Sequence, residues 1–221
     1  NDVTQNNETT YGDTGTIITN SDKDKASSNT VTIEAENEND KVEVTLKDVN
    51  IDASRGSEAA VSVTGKGDTT IELDGDNELK GGYNRAGLEH NQTVDGEGNV
   101  TSGKLTIQDK DNNGSLEAAG GFKGAGIGSA GSNDAQVKIT GGNITATSDD
   151  WGAGIGSGSY GTGTVEITGG EINATGGYLG AGIGGGCNGS GNVSISGGTI
   201  TAAGSDGAAG IGGGYYNGAT V

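Results

Sequence analysis

Val165-Glu-Ile-Thr-Gly-Gly-Glu-Ile-Asn-Ala174 is followed six residues later by Gly180-Ala-Gly-Ile-Gly184, and this pair of phrases decides the fold. The first phrase stands 28 residues earlier as Val137-Lys-Ile-Thr-Gly-Gly-Asn-Ile-Thr-Ala146 and 28 residues later as Val193-Ser-Ile-Ser-Gly-Gly-Thr-Ile-Thr-Ala202. The second recurs at Gly124–Gly128 and Gly152–Gly156 and, as Ala-Ala-Gly-Ile-Gly, at Ala208–Gly212, with no insertion or deletion between copies. Within one period the apolar residues alternate: Val137 with Ile139, Ile144 with Ala146, Ala125 with Ile127. A spacing of two is strand periodicity, so each period holds three short strands. The Gly-Gly pair supplies a tight corner between the first two strands, and glycine-rich stretches separate the others. Units of this length cannot bury an apolar face alone and must stack. Residues 28 apart then lie one above the other at about 4.8 Å, the spacing of hydrogen-bonded neighbouring strands. The expectation is an all-β solenoid, a parallel β-helix with three short strands per coil, right-handed by the preference of parallel crossovers.

The first half fits the same template with looser spelling. Leu46, Ile51 and Ala53 reproduce the separations of Ile167, Ile172 and Ala174, and Ala86-Gly-Leu88 stands for Ala-Gly-Ile. From Leu88 to Ile127 the interval is 39 rather than 28; the extra residues divide into seven around His90–Val100 and four around Gln108–Ser115. Insertions in a solenoid fall on loops, often on a functional face. The length accommodates about seven or eight coils in one elongated domain. Residues 29–221 are read as that domain, with strictly regular repeats over 119–221. Asn1 to about Ser28 are polar and without a clear repeat, and are read as a cap or a loose tail.

Only 29% of the residues are apolar and 47 are glycine, values that ordinarily suggest disorder. The strict period overrides them, because a solenoid needs only a thin internal stack. Of the net charge of −18, −14 falls within residues 1–118. So acidic a surface lacks the Lys and Arg that neutralise phosphate, which argues against nucleic acid and anionic lipid as partners and suits Ca²⁺. Cys187 is the single cysteine, which excludes an intrachain disulfide and thiolate metal clusters. There is no apolar run near 18 residues, no signal-peptide core and no Met at position 1, so the chain reads as a mature secreted piece or a trimmed fragment. Val221 falls one period after Val193, where a further coil would begin, so the natural chain is expected to continue beyond it; as a fragment it is expected to be monomeric.

The sharpest local motif is Asp109-Lys-Asp111-Asn-Asn113-Gly114. Its alternating oxygen ligands and closing glycine match the start of a calcium loop, and the bidentate Glu of a helix–loop–helix hand is replaced by Gly120. Asp109, Asp111 and Asn113 are therefore the candidate Ca²⁺ ligands; a polar turn-forming loop is the plainer reading. Asp74, Asp76, Asp95 and Glu97 are further acidic turn residues. Aromatics are few and fall at the corners. Phe122 and Tyr178 share one column, with Asp150 between them, and Trp151 occupies the next column, all in the corner before the Gly-Ala-Gly-Ile strand. Tyr160 and Tyr216 share another column, in the corner leading to the next coil. Exposed rings stack on sugar faces, and the coil spacing of about 4.8 Å approaches the length of one sugar unit. Phe122, Trp151, Tyr178, Tyr160 and Tyr216 are accordingly the candidate glycan contacts; rings that merely cover glycine-rich corners are the alternative. Outward Thr145 and Thr147 begin a short threonine column of the kind ice-binding solenoids carry, although only one coil has both. Catalysis finds little support. His90 is the sole histidine, and Arg85 and Lys80 lie near Asp74 and Asp76 in sequence, the minimum for a calcium-dependent polysaccharide lyase.

The phrases from Gly124 to Gly214 resemble the glycine-rich β-helical repeat regions of secreted surface proteins of Firmicutes. They are also similar to the clostridial carbohydrate-binding β-helix family, a relative of the pectate lyases without established catalysis. That resemblance covers about half the chain and implies Ca²⁺ in the turns and binding to acidic or cellulosic plant polysaccharides. At the family's Gly-Asp-Gly-Ile motif this chain carries Ala125, Ala153 and Ala181, so no metal ligand transfers to that ladder. The expectation is a non-catalytic carbohydrate-binding or adhesive module, extracellular or on a bacterial cell surface, with a polysaccharide or surface glycan as partner. A structural stalk is the alternative, a calcium-dependent lyase the third reading, and ice binding a minor one.

Overall fold

A computed structural model describes residues 3–7, 15–217 and 219–220. Every regular element in it is a β-strand. The chain is a parallel β-helix of seven coils, as the 28-residue period predicts. Coil one holds β2 (Thr16–Asn20) and β3 (Val31–Ala35), and its edge is covered by β1 (Val3–Asn7), which runs antiparallel to β2. The expectation of a cap or tail over residues 1–28 lies partly on residues outside those described, as does Val221. Coil two holds β4 (Lys41–Lys47), β5 (Asn50–Asp52) and β6 (Val61–Gly65), and coil three β7 (Asp68–Lys80) and β8 (Leu88–Glu89). Coil four holds β9 (Leu105–Gln108), β10 (Gly114–Gly120) and β11 (Ile127–Gly128). The last three coils repeat this pattern: β12 (Ala135–Ile139), β13 (Asn143–Ser148) and β14 (Ile155–Gly156); β15 (Thr162–Ile167), β16 (Glu171–Thr175) and β17 (Ile183–Gly184); β18 (Ser190–Ile195), β19 (Thr199–Ala203) and β20 (Ile211–Gly212). The backbone of β21 (Ala219–Thr220) continues the first face.

Three faces result. β2, β4, β7, β9, β12, β15, β18 and β21 pair in parallel along the first. The second half of β7 turns the corner to join β5, β10, β13, β16 and β19 on the second. The third carries β3, β6, β8, β11, β14, β17 and β20. Where the repeat is strict the register is 28 residues per coil: Val165 pairs with Val137 and Val193, Ile172 with Ile144 and Ile200, Ile183 with Ile155 and Ile211. The 39-residue interval resolves as expected. Leu105 pairs with Val137 and Leu116 with Ile144, which places the two insertions in the loops before β9 and before β10.

One expected register is shifted. Ile51 pairs with Leu79, above which Ala118, Ala146 and Ala174 follow, and Val44 rather than Leu46 stands in the column of Ile71, Ile107, Ile139 and Ile167. The separations of five and seven that match Leu46, Ile51 and Ala53 to the repeats also match Val44, Val49 and Ile51. A slip of two residues leaves every side chain on its own face, so alternation cannot distinguish the two. Leu46 and Leu73 pair further along and fill the corner where later coils turn on Gly-Gly: a Cβ on Gly142 would come within 2.9 Å of Leu73 Cδ1. Beside them Asn77 occupies the column of Leu116, Ile144 and Ile172. It is buried, accepts the Val49 N–H at 3.0 Å and donates to the Ser115 carbonyl at 3.0 Å, so it ties three coils together.

The third face is pinched. In coils four to seven the alanine N–H before the buried isoleucine donates to a carbonyl four residues on: Ala125 to Ser129, Ala153 to Ser157, Ala181 to Gly185 and Ala209 to Gly213. The two-residue strand therefore pushes its isoleucine inward while the flanking loops come together outside. The glycine after each isoleucine makes this possible. Gly128, Gly156, Gly184 and Gly212 have φ between 129° and 136°, and a Cβ on any of the first three would stand 1.8–2.0 Å from the next coil's carbonyl oxygen.

Candidate functional site

Because the third strand is pinched, the corner before it and the corner after it adjoin. Backbone bonds join them between successive coils: the Ser159 N–H donates to the Lys123 carbonyl at 3.0 Å, Cys187 to Trp151 at 2.7 Å and Tyr215 to Leu179 at 2.9 Å. The two sets of corner aromatics, which the sequence assigns to separate corners, thus border one ridge along the rod.

At its head Tyr83 stacks on Phe122, ring centroids 5.3 Å apart and planes 7° from parallel, and Phe122 meets Trp151 at 5.3 Å with a 36° tilt. Lys123 Nζ lies 5.5 Å from the Phe122 centroid and 5.2 Å from that of Trp151, within reach of a cation–π attraction. Phe122 and Trp151 are half-buried, whereas Tyr83 is 57% exposed. Tyr83 escaped the sequence reading, although the signal was present: the 39-residue interval that carries Leu88 onto Ile127 carries Tyr83 onto Phe122. Further along, Tyr178, Tyr160 and Tyr216 are 53%, 56% and 77% exposed. Tyr160 and Tyr216 are held at φ of 66° and 70°, so the corner backbone itself turns them outward. Tyr215 contacts Tyr216 with centroids 3.9 Å apart, and its hydroxyl hydrogen bond raises the Tyr216 phenol above the ordinary value of 10.0.

Beside the Tyr83–Phe122 stack opens a cleft of about 390 Å³ lined by those rings, Ser54, glycine backbone, Asp149 and Asp150. Burial, and then the neighbouring Asp149 charge, raise the Asp150 carboxyl above the usual 3.8. Among the described residues neither carboxylate forms an ion pair. Cys187 lies under the ridge, buried, its thiol pushed up by burial and accepting a 3.2 Å contact from the Asn188 amide.

A second cluster forms at the corner between the first two faces. The loop Asp109–Asn113, which carries the four-residue insertion, folds over Glu72 of β7, and the Lys110 N–H donates to Glu72 Oε1 at 2.7 Å. Carboxylate oxygens of Glu72, Asp109 and Asp111 lie within 4.8 Å of one another, Glu72 and Asp109 buried and Asp111 exposed. Asp109 accepts the N–H groups of Asn113 and Gly114 at 3.2 and 3.1 Å. Asn113 turns its amide nitrogen toward Asp111 Oδ2 at 2.9 Å, so Glu72, and not Asn113, completes the acidic group. No motif could have announced Glu72, which depends on the loop closing over a neighbouring coil.

The remaining candidates are dispersed. Asp74 pairs with Lys47 at 2.8 Å and Asp76 accepts the Ser115 hydroxyl at 2.9 Å. Asp95 turns inward on its own loop, taking the N–H groups of Glu97 and Asn99. Arg85 is engaged by Glu89 at 2.7 Å and Lys80 by Glu78 at 2.5 Å. His90 is buried with its ring nitrogens on the carbonyls of Val63 and Gly103, at 3.1 and 2.9 Å. The groups of the lyase reading therefore do not meet. The threonine column continues from Thr145 into Glu117 and Glu78, and from Thr147 into Ala119 and Lys80, so charges interrupt it.

A family model described as a beta helix repeat matches residues 137–159, 165–187 and 193–215, one segment in each of the last three coils. Neither curated proteins nor solved structures gave a significant match.

Proposed function

We propose that this β-helix is a non-catalytic carbohydrate-binding or adhesive module, extracellular or displayed on a bacterial surface, and that the aromatic ridge is its contact surface. The observation that carries the reading is the joining of the two corners. It aligns Tyr83, Phe122, Trp151, Tyr178, Tyr160 and Tyr216 along one edge, with tyrosine faces open to solvent. Flat rings present apolar area at little entropic cost and suit the C–H faces of sugars, while the stack behind Tyr83 keeps it oriented. The cleft narrows the ligand class. Asp149 and Asp150 stand uncompensated at its rim, so a polyuronate would meet like charge, whereas a neutral or amine-bearing glycan would find hydrogen-bond acceptors.

The test is retention on insoluble polysaccharides, comparing cellulose, chitin, chitosan and pectate, with the wild type, Tyr83→Ala and Trp151→Ala. Loss of one stacking ring is expected to weaken binding about tenfold, roughly 1.4 kcal/mol. Circular dichroism would establish that Tyr83→Ala, which removes an exposed ring, remains folded. Retention of none of the polymers, or binding indifferent to both substitutions, would overturn the reading. The half-burial of Phe122 and Trp151 favours a second reading, in which the rings only seal the corner and the rod is a spacer; retention of none of the polymers is the outcome it predicts.

A further inference from the structure

The geometry points to a divalent, oxygen-seeking cation of the Ca²⁺ class held between coils three and four by Glu72, Asp109 and Asp111. Oxygens that share one Ca²⁺ at about 2.4 Å can lie up to about 4.8 Å apart, and these three carboxylates meet that limit. Independent support comes from Glu72 itself. The residue is only 7% exposed, and its Oε2 is buried without a hydrogen-bond donor. Lys110 Nζ stands 3.7 Å from that oxygen and is drawn instead to Glu43, at 2.6 Å. A buried carboxylate oxygen without a donor is costly unless a cation supplies the partner.

The chemistry of the donors selects the ion. All are hard oxygens, and the chain's single histidine and single cysteine lie buried elsewhere, so nitrogen- and sulfur-preferring metals gain nothing here. A cleft of about 130 Å³ lined by Glu72, Asp74, Lys110 and Asp111 leaves room for waters to complete the shell. Asp109 already holds the loop through two N–H groups, so its carboxylate is oriented before the ion arrives. The ion would fasten the insertion onto β7 and so pin the coil whose 39-residue interval from Leu88 to Ile127 departs from the 28-residue repeat. This inference is independent of the aromatic ridge.

The experiment is calorimetric titration of chelator-treated protein with CaCl₂, and with MgCl₂ as comparison, alongside thermal melts, on the wild type, Glu72→Gln and Asp111→Asn. One Ca²⁺ site with millimolar or tighter affinity, in the range of extracellular modules, is expected, together with a Ca²⁺-dependent rise in melting temperature. Both variants are expected to weaken binding at least tenfold. Without Ca²⁺, Glu72→Gln is expected to melt no lower than the wild type, because it removes a buried charge that Lys110, at 3.7 Å and shared with Glu43, offsets only in part. Should Glu72→Gln fail to fold, exposed Asp111 carries the test. Absence of heat and of any melting shift up to about 10 mM Ca²⁺, beyond that range, would overturn the site, as would Ca²⁺ binding that Asp111→Asn leaves unchanged.

Discussion

Three glycine-to-alanine substitutions separate backbone strain from steric exclusion in this rod. Gly96 has an ordinary φ and nothing within 4 Å of a new Cβ; Gly98 has φ of 87° and equally open space; Gly156 has φ of 131° and a carbonyl oxygen of Gly184 at 2.0 Å. Gly96→Ala loses only unfolded-state freedom and should be neutral or stabilise by about 0.4–1 kcal/mol. Gly98→Ala adds the cost of a left-handed conformation, about 1 kcal/mol, the low end of the range because a loop tip can relax. Gly156→Ala carries about 1–3 kcal/mol of backbone strain plus about 1–3 kcal/mol of overpacking, since β14 and β17 would have to separate. For a chain of this length each kcal/mol shifts the melting midpoint by about 2–4 °C, so Gly156→Ala should melt roughly 5–20 °C lower. The assay is a thermal melt by far-ultraviolet circular dichroism, with fluorescence of Trp151, the sole tryptophan, as a reporter from the same coil. If Gly156→Ala melted with Gly98→Ala, the close stacking of the third face would be refuted.

Other outcomes follow from single sites. Asn77→Ala should cost about 2–4 kcal/mol by urea unfolding, since the Val49 N–H and the Ser115 carbonyl would both lose a buried partner. Cys187, buried and with a raised thiol pKa, should resist maleimide in the native protein and react on unfolding. Asp68 is held below 3.8 chiefly by the hydrogen bond from Lys41, aided by the Lys104 N–H. Its stabilisation is therefore present above pH 3.8 and lost as pH falls through the lower folded value. The melting difference between wild type and Asp68→Asn should be full at about pH 6 and vanish near pH 2.

The repeats from Ala119 onward were legible because their period is strict and each ladder names its own partner. Leu46 and Ile51 were misplaced by two residues because parity, the only signal there, survives an even shift. The columns of Phe122, Tyr178, Tyr160 and Tyr216 could be read by phase. That two corners meet could not, since it depends on the bond from Ala181 to Gly185 folding the strand inward, which no alternation pattern encodes. Asp109 and Asp111 were visible as a motif, and their meeting with Glu72 was decided by a loop closing across coils.

The last three coils are interchangeable in length and spelling, and this raises a problem that the irregular half solves. A stack of identical rungs has no internal zero: shifted by one rung, Ile155 meets the same neighbours it left, and only the ends register the error. Coil four, with both insertions, and coil three, with Asn77 and Leu73 where the later regular rungs carry isoleucine and glycine, have no such double. They act as the keyed tooth of the rod, fixing which rung is which. The regular end, by contrast, has no need of its exact count, and removing the 28 residues from Ser157 to Gly184 should yield a shorter rod with the same joints.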